Sequence, residues 1–346
     1  MNKEVNSLVA KAVAAHFGAK AEEPVTAPVV TSSAPKELAA NQQMFSKVFG
    51  YKPKMGDFAV TIHKVEGDAV RFVPSIDPDY VVQKDECARL VAGIEDGDKT
   101  LITGPTGSGK SSLVKYVAAK LGLPFLRVNM SGDVQSDAVF GTMVVRGGAT
   151  VWEDGVITEA VKLGALCLVD EWELMPAEIT MGMQNLLEDG GYLYLKEKPG
   201  TSEERTIKPH DTFRLVFAGN TVGQGDTTGA FAGVGVQNTA TIDRFTNTVK
   251  LGYLTASHEV DIITSKTSVD KSIAAQMVKL ANLVRNAYNQ QRLGLTMSPR
   301  TLINWGRKQS RYSLAYALEV AFLEKLTDDD AKSVRELYTK VFGATE

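Results

Sequence analysis

A single glycine-rich segment restricts the possible folds of this chain more than any other feature of its sequence. Residues 104–111 read GPTGSGKS and lie between a short β-branched run and a helical pattern. Glycines at these spacings allow backbone N–H groups to surround phosphate oxygens, and the following helix adds the positive end of its dipole. The segment therefore predicts a P-loop between a strand and a helix.

Two polar side chains of the predicted P-loop have expected roles in nucleotide binding. Lys110 is expected to reach the β- and γ-phosphates, and Ser111 to offer its hydroxyl to Mg²⁺. The chain has no Asn-Lys-x-Asp motif that reads guanine, but the loop itself leaves ATP and GTP open. The predicted nucleotide-binding residues are Gly104, Pro105, Thr106, Gly107, Ser108, Gly109, Lys110, Ser111 and Ser112.

Short β-branched runs alternate with longer helical patterns from residue 99 onward, which is typical of a parallel sheet wrapped by helices. Strands are predicted at residues 100–103, 125–128, 166–170, 215–219 and 248–251. Two hairpins are expected as insertions, one pairing 143–145 with 150–152 and the other pairing 192–196 with 205–208. The expected fold is an α/β P-loop NTPase core, with a parallel five-stranded sheet flanked by helices and with β-hairpin insertions.

Four regions follow one another along the chain. Residues 1–50 contain a predicted helix (4–18), a flexible tether rich in Pro, Thr, Ser and Ala (21–35) and a second helix (36–48). Residues 51–98 lead into a nucleotide-binding domain, 99–254, and residues 255–346 predict an all-helical C-terminal lid with helices at 269–291, 299–309 and 313–326. Two interpretations stand for the N-terminal helix: a frayed terminus without a role, and a helix that docks a partner or a second copy.

Two carboxylates close the predicted strand 166–170. Ligands bind at the C-terminal ends of strands in open α/β sheets, and Asp170 and Glu171 stand at that end. Asp170 is expected to hold Mg²⁺ through water, and Glu171 to orient and polarise the attacking water. The pair therefore favours hydrolysis over phosphoryl transfer to a second substrate. Glu173 and Glu178 are interpreted as solvated helix residues.

A third strand leads to Asn220, whose amide is placed to bond the same water or the γ-phosphate. In the order P-loop, Asp-Glu, Asn, the chain resembles the AAA+ ATPases, in which such an asparagine is the first sensor. The resemblance supplies two further candidates, Arg244 in residues 243–245 (DRF) as an arginine finger and Arg300 in residues 298–300 (SPR) as the second sensor. An arginine would neutralise charge developing on the phosphoryl oxygens. Taken singly, a plain surface ion pair remains the alternative for each arginine.

Residues 73–343 resemble a narrower group, the small ATPase subunits of aerobic cobaltochelatases in the MoxR branch of the AAA+ proteins. Three segments carry the resemblance: 220–229 (NTVGQGDTTG), 259–263 (EVDII) and 297–301 (MSPRT). It implies an ATP-driven ring, usually hexameric, with each nucleotide at a subunit interface, and a larger partner protein with an integrin-like metal-binding domain. In the chelatases such a ring powers cobalt insertion into a corrin. The four histidines of this chain are scattered and indicate no cobalt site.

Charge and composition argue against several other classes of protein. The chain has 38 Lys and Arg against 41 Asp and Glu, a net charge of −3, so no global basic field draws it to nucleic acid. Cys87 and Cys167 form neither a disulfide framework nor a zinc motif. No apolar run approaches the roughly 18 residues of a membrane span, and residues 1–20 lack the apolar region of a signal peptide. We therefore expect no membrane partner and a cytoplasmic location.

The expected function is Mg²⁺-dependent ATP hydrolysis by a homo-oligomeric ring that remodels or activates a partner protein. Four alternatives stay open: the motor of a cobalt chelatase, a small-molecule kinase built on the same loop, a nucleic-acid motor such as a helicase, and a nucleotide-locked scaffold that does not hydrolyse. Glu171 and the helical C-terminal region disfavour the kinase, and the acidic balance disfavours the nucleic-acid motor.

Overall fold

The computed structural model describes residues 38–223, 225 and 235–343, so the predicted helix 4–18, the tether 21–35 and residues 224 and 226–229 lie outside the described residues. The strands are β1 (Gln42–Met44), β2 (Ala59–Thr61), β3 (Thr100–Thr103), β4 (Phe125–Asn129), β5 (Gly141–Arg146), β6 (Ala149–Asp154), β7 (Leu166–Asp170), β8 (Leu193–Tyr194), β9 (Thr206–Ile207), β10 (Arg214–Gly219) and β11 (Asn247–Lys250).

The α-helices are α1 (Phe45–Phe49), α2 (Lys84–Asp96), α3 (Lys110–Leu121), α4 (Ser136–Phe140), α5 (Val156–Leu163), α6 (Ala177–Met183), α7 (Ser202–Arg205), α8 (Thr239–Asp243), α9 (Ala256–Lys266), α10 (Lys271–Asn289), α11 (Pro299–Lys308), α12 (Leu314–Ala321) and α13 (Asp328–Phe342). Short 3₁₀ segments lie at Gly67–Phe72, Trp172–Leu174, Gln184–Leu187 and Leu323–Lys325.

Five parallel strands form the central sheet, in the order β11-β3-β10-β7-β4. β3 and β7 are buried along their whole length, as is usual for strands covered on both faces. The register pairs Thr103 with Gly219, and Asp170 with both Ala218 and Asn129, so these strands end along one edge. The predicted five-stranded sheet is confirmed, with bounds that differ by one residue at β4, β10 and β11.

Hydrophobic side chains cover both faces of this sheet. One cluster includes Leu90 of α2 and Val117 of α3, packed with Ile102 of β3. A second cluster includes Ile157 of α5 and Phe217 of β10. Burial on both faces fixes the strands as a rigid frame, and the polar residues at their C-terminal ends are held in place by it.

The first predicted hairpin is confirmed and is longer than the sequence indicated. β5 and β6 pair from Gly141 with Asp154 to Arg146 with Ala149, and a two-residue turn at 147–148 joins them. Both turn glycines have positive φ, 60° and 81°, the backbone geometry that a two-residue hairpin turn needs.

The second hairpin is shorter than predicted. It pairs Leu193–Tyr194 with Thr206–Ile207 instead of 192–196 with 205–208. Pro199 follows the predicted first strand, and Thr201 caps the short helix α7 with a reciprocal pair of bonds to Glu204. The chain between the two strands therefore turns into a helix before it can pair.

The predicted helix 36–48 is wrong. Residues Gln42–Met44 form a strand antiparallel to Ala59–Thr61, and only Phe45–Phe49 are helical. The rings of Phe45 and Phe49 stack 4.4 Å apart and are buried in the first hydrophobic cluster. The helical spacing of apolar residues arose from this short buried helix, and no local pattern indicated the three-residue strand before it.

Helices α9 to α13 pack around a third hydrophobic cluster, which includes Met277, Trp305 and Phe322. Helices predicted at 269–291 and 299–309 are observed as α10 and α11, and Ser298 caps α11 by accepting a bond from the Thr301 N–H. The predicted helix 313–326 is instead split at Phe322, where φ is −141°, into α12 and a 3₁₀ turn. Within the described residues, no helix has the length and apolar character that a membrane crossing requires.

Candidate functional site

The P-loop lies between β3 and α3 and takes a conformation that its glycines permit. Gly107 and Gly109 have φ of 75° and 94°, in the left-handed region. A Cβ on Gly104 would lie 2.3 Å from the carbonyl oxygen of Leu251, and one on Gly107 would lie 2.6 Å from the Cβ of Ser298. Neighbouring backbone and side chains thus approach the loop too closely for larger residues at these positions.

Lys110 begins α3, and its ammonium group is held on three oxygens. Nζ donates to the carbonyls of Gly104 at 2.7 Å and Pro105 at 3.2 Å, and to Oδ1 of Asn220 at 2.9 Å. Burial lowers the pKa of Lys110, while the nearby carboxylates of Asp170, Glu173 and Glu171 act in the opposite direction. The side chain therefore presents a desolvated cation at the start of a helix, where phosphate oxygens bind.

Asp170 ends β7 and faces the hydroxyl of Ser111. Ser111 Oγ donates to Asp170 Oδ2 at 2.5 Å, and Asp170 is buried. A hydroxyl and a carboxylate are the hard oxygen donors that Mg²⁺ prefers, so the two predicted metal ligands fit this ion. The same Oδ2 also accepts a bond from Arg127 Nη2 at 2.6 Å, an ion pair that the sequence analysis missed.

Glu171 projects from the edge of the sheet into solvent. Its backbone is left-handed, with φ 55° and ψ 38°, a conformation that costs a residue with a side chain about 1–2 kcal/mol. Its N–H donates to Asp170 Oδ1 at 3.1 Å, and Asn129 Nδ2 donates to its Oε2 at 3.4 Å. The strained turn aims the carboxylate away from the strand, where water can reach it.

The contacts of Arg127 and Asn129 follow from strand geometry. Along β4 the burial alternates, so these two residues lie on the exposed face two positions apart. β4 pairs with β7 in register, which brings them beside the two carboxylates. The alternation was visible in the sequence, but the partner strand was not.

The interpretation of Glu173 as a solvated residue is wrong. The side chain is 3% exposed, and its Oε1 accepts bonds from Thr221 N at 2.6 Å and Thr221 Oγ1 at 3.2 Å. Gln237 Nε2 donates to the Glu173 carbonyl at 2.7 Å. The 3₁₀ turn after Glu171 directs this side chain inward, against the segment that follows Asn220. Glu178 is exposed, as expected.

The two predicted arginines stand in different surroundings. Arg300, near the start of α11, lines the same cleft as Gly107 and lies near enough to Lys110 for its charge to lower the lysine pKa. Arg244 instead donates through Nε to Glu188 Oε1 at 2.7 Å and through Nη1 to the Ala240 carbonyl at 2.7 Å. The described structure therefore brings Arg300 to the P-loop and leaves Arg244 outside that site.

A cleft of about 490 Å³ extends from the P-loop between the sheet domain and the C-terminal helices. Its lining includes the apolar groups Tyr116, Ile262 and Ile303 together with polar and charged side chains, among them Asp77 and Lys266, which form an ion pair of 3.0 Å. A cleft of this size and mixed lining beside a phosphate-binding loop suits a nucleotide base and ribose.

Two family matches cover the sheet domain and the helices that follow it. Residues 99–245 match the family described as AAA domain (dynein-related subfamily). Residues 259–341 match the family described as CbbQ/NirQ/NorQ C-terminal.

Several curated proteins match across most of their own length. The aerobic cobaltochelatase subunit CobS of a Sinorhizobium species is 34% identical over 80% of this chain and 85% of that protein. Protein NorQ of Paracoccus denitrificans is 30% identical over 77% and 94% of the two chains, and protein CbbQ of Hydrogenophilus thermoluteolus is 27% identical over 73% and 90%. The chain therefore belongs to the MoxR-type AAA+ ATPases, in the group that contains CobS, NorQ and CbbQ.

Proposed function

We propose that this protein is a Mg²⁺-dependent motor that assembles into a hexameric ring and uses ATP hydrolysis to remodel or activate a partner protein. The observation that carries the proposal is the 2.9 Å bond between Lys110 Nζ and Asn220 Oδ1, beside the Ser111–Asp170 pair. Together these two contacts bring the C-terminal ends of β3, β7 and β10 to one point. A γ-phosphate and its attacking water need a cation, a metal ligand and an orienting amide at such a point.

Binding relies on the P-loop backbone and on Lys110. The loop N–H groups and the N-terminus of α3 hold the phosphates, and Lys110 exchanges its carbonyl and amide acceptors for phosphate oxygens. Ser111 and Asp170 would hold Mg²⁺, and the metal would supply positive charge that offsets the charge of the phosphates.

Hydrolysis relies on Glu171 and Asn220. The Glu171 carboxylate accepts a hydrogen bond from the attacking water and polarises it, while the Asn220 amide fixes the water or the γ-phosphate in line. Asn129 holds the carboxylate until substrate is in place. Arg300 senses the γ-phosphate from the C-terminal helices.

Arg244 acts on the nucleotide of the neighbouring subunit. Its placement away from the P-loop of its own chain supports a role across an interface, since a finger supplied in trans must project from another surface. Glu188 and the Ala240 carbonyl hold Nε and Nη1, so they fix the direction of the guanidinium.

An ATPase assay without any added acceptor tests the reaction class. We expect phosphate release that depends on Mg²⁺ and is abolished, together with tight ATP binding, in Lys110→Ala. A small-molecule kinase would bind ATP but release little phosphate until its acceptor is added, and that result would contradict the proposal. Light scattering with ATP present tests the six-fold assembly.

The β5–β6 hairpin is proposed as the surface that contacts the partner, which we expect to carry an integrin-like metal-binding domain. Val145 is 77% exposed, and Met143 and Val151 are also exposed. Apolar side chains on a two-stranded arm contribute little to the core of this chain, and such surfaces commonly contact other proteins. A loop without a role is the alternative.

The variant Val145→Ser, with Val70→Ser as a control for loss of an exposed valine elsewhere, tests the hairpin. The probe is a purified protein that carries an integrin-like metal-binding domain. We expect both variants to keep basal ATPase activity, and only Val145→Ser to lose stimulation by the probe. Full stimulation of Val145→Ser would remove the hairpin from the mechanism and direct attention to residues 1–37.

Cobalt insertion into a corrin is a second candidate, favoured by the 34% identity to CobS. Relatives named NorQ and CbbQ match along similar lengths, which supports a motor that serves different partners. Corrin metallation by the complete assembly, with and without this subunit, separates the two.

A nucleic-acid partner is not proposed, because the net charge is −3. We propose a cytoplasmic location, supported by Cys87 and Cys167, which are buried and unpaired as in reducing compartments.

A further inference from the structure

The segment that joins β11 to α9, residues 251–255, lies directly against the P-loop. The carbonyl oxygen of Leu251 occupies the space where Gly104 would carry a Cβ. Gln83 Nε2 donates to the carbonyl of Gly252 at 3.0 Å and so holds the residue that follows Leu251 in place. The chain therefore enters its C-terminal helices while in contact with the loop that binds phosphate.

Tyr253, in this segment, contacts the P-loop on one side and helix α10 on the other. Its hydroxyl donates to the carbonyl of Thr106, in the P-loop, at 3.2 Å. Its ring faces the guanidinium of Arg285, in α10, with 4.0 Å between the Arg285 Cζ and the ring centroid. Burial raises the pKa of Tyr253, so the hydroxyl stays protonated and able to donate at neutral pH. One side chain thus bridges a helix of the lid and the P-loop.

Arg285 makes three hydrogen bonds with its planar group, one of them from Nη1 to Asn282 Oδ1 at 3.1 Å. Nη1 donates to Glu259 Oε2 at 2.9 Å, and Nε donates to the carbonyl of Met297 at 2.8 Å. Met297 directly precedes Ser298, the cap of α11, and α11 carries Arg300. The guanidinium therefore orients the start of the helix that places Arg300 in the cleft.

A contribution to the stability of the C-terminal helices does not explain the ion pair between Arg285 and Glu259. The side chains of Arg285 and Glu259 are 6% and 1% exposed, and apolar residues of similar size in place of a buried ion pair are often neutral or stabilising. Arg285 Nη2 and Glu259 Oε1 are buried and have no hydrogen-bond partner in the part of the chain that the structure describes. Unsatisfied buried atoms of this kind lower the free energy of unfolding. The ion pair therefore serves to orient neighbouring groups rather than to stabilise the fold.

We propose that Tyr253 and Arg285 are positioning residues for nucleotide binding. Arg285 fixes the ring of Tyr253, the Tyr253 hydroxyl fixes the P-loop backbone at Thr106, and the same guanidinium fixes the start of α11. Neither side chain needs to touch the nucleotide. The geometry couples the C-terminal helices to the phosphate-binding loop, and this inference rests on the proposed nucleotide site.

Equilibrium binding of a fluorescent ATP analogue to the full chain, with Mg²⁺, tests the proposal. Tyr253→Phe removes only the hydroxyl and keeps the ring against Arg285. We expect it to raise Kd by about 3- to 10-fold and to lower the melting temperature of the nucleotide-free protein by no more than a few degrees, the effect of one lost hydrogen bond. Tyr312→Phe, at an exposed tyrosine between α11 and α12, is the control and should leave Kd unchanged.

A second variant tests Arg285 without leaving a lone buried charge. Glu259→Leu combined with Arg285→Met replaces the ion pair by apolar side chains and should remain folded. We expect it to raise Kd as well, and we expect its effect combined with Tyr253→Phe to be smaller than the product of the two fold-changes, because both act through the same contact. Fold-changes that multiply in full would overturn the coupling.

Two outcomes separate this inference from the proposed site. If the wild type binds the analogue, Lys110→Ala does not, and both new variants bind as the wild type does, then the site stands and the positioning role is wrong. If the wild type itself fails to bind, the site and the inference both fail.

Discussion

Replacing Glu173 with alanine is expected to loosen the segment that carries Asn220. The Glu173 side chain is 3% exposed, and its Oε1 accepts bonds from the N–H and the hydroxyl of Thr221. A hydrogen bond to a charged group contributes about 1.5–3 kcal/mol, and the alanine variant leaves the Thr221 N–H without this acceptor. The two bonds share one oxygen and do not add in full, so we expect the free energy of unfolding to fall by about 2–4 kcal/mol.

The same change should slow hydrolysis more than it weakens binding. Asn220 directly precedes Thr221, and a displacement of about 1 Å in a catalytic group can reduce a rate about 10²-fold. Lys110 keeps its bonds to the carbonyls of Gly104 and Pro105, and the P-loop glycines keep their own contacts. We therefore expect kcat to fall about 10- to 100-fold while the Kd for ATP changes much less.

Urea unfolding followed by circular dichroism measures the first effect, and steady-state phosphate release measures the second. Glu178→Ala is the matched control, because Glu178 is an exposed glutamate in the neighbouring helix α6. If Glu173→Ala matches Glu178→Ala in both stability and turnover, then the buried contacts of Glu173 do not hold the Asn220 segment, and the reasoning fails.

Three further predictions concern other parts of the molecule. Arg244→Ala should lower kcat by about 10³ with ATP affinity retained, and mixing it with Lys110→Ala protein should restore some activity if the finger acts in trans; no recovery at any ratio would contradict that role. Gly104→Ala should abolish tight ATP binding, since its Cβ would lie 2.3 Å from a carbonyl oxygen, whereas Gly132→Ala has open space and should bind normally. Burial raises the pKa of Cys167 to about 12, so iodoacetamide at pH 8 should label this thiol in the unfolded but not in the native protein, and fast labelling of the native protein would contradict its burial.

The sheet and the P-loop could be predicted because their signals are local. The strand before Gly104 and the helix after Lys110 are adjacent to the motif, and a buried run such as 166–170 identifies its own strand. The order of the polar residues then indicated that Asp170 and Asn220 meet at one edge. Parallel strands impose that meeting, and the register of β3, β7 and β10 produces it.

What the sequence did not indicate depends on contacts between distant segments. Arg127 reaches Asp170 because β4 pairs with β7, and no local pattern names the neighbouring strand. Glu173 is buried because a 3₁₀ turn, rather than an α-helix, follows Glu171. Arg285 lies in a helix whose apolar periodicity gave no reason to single out a cation, and its role follows only from Tyr253 and Met297.

Glu171→Gln tests the hydrolytic role of Glu171, because it removes the charge that polarises the attacking water and keeps the size of the side chain. Binding of ATP and steady-state turnover should be measured on the same preparation. We expect a Kd within about threefold of the wild type and turnover reduced by about 100-fold or more, since Glu171 acts on the water in the transition state and not on the bound phosphates. Turnover at the wild-type rate would contradict the assignment of Glu171, and with it the mechanism of hydrolysis.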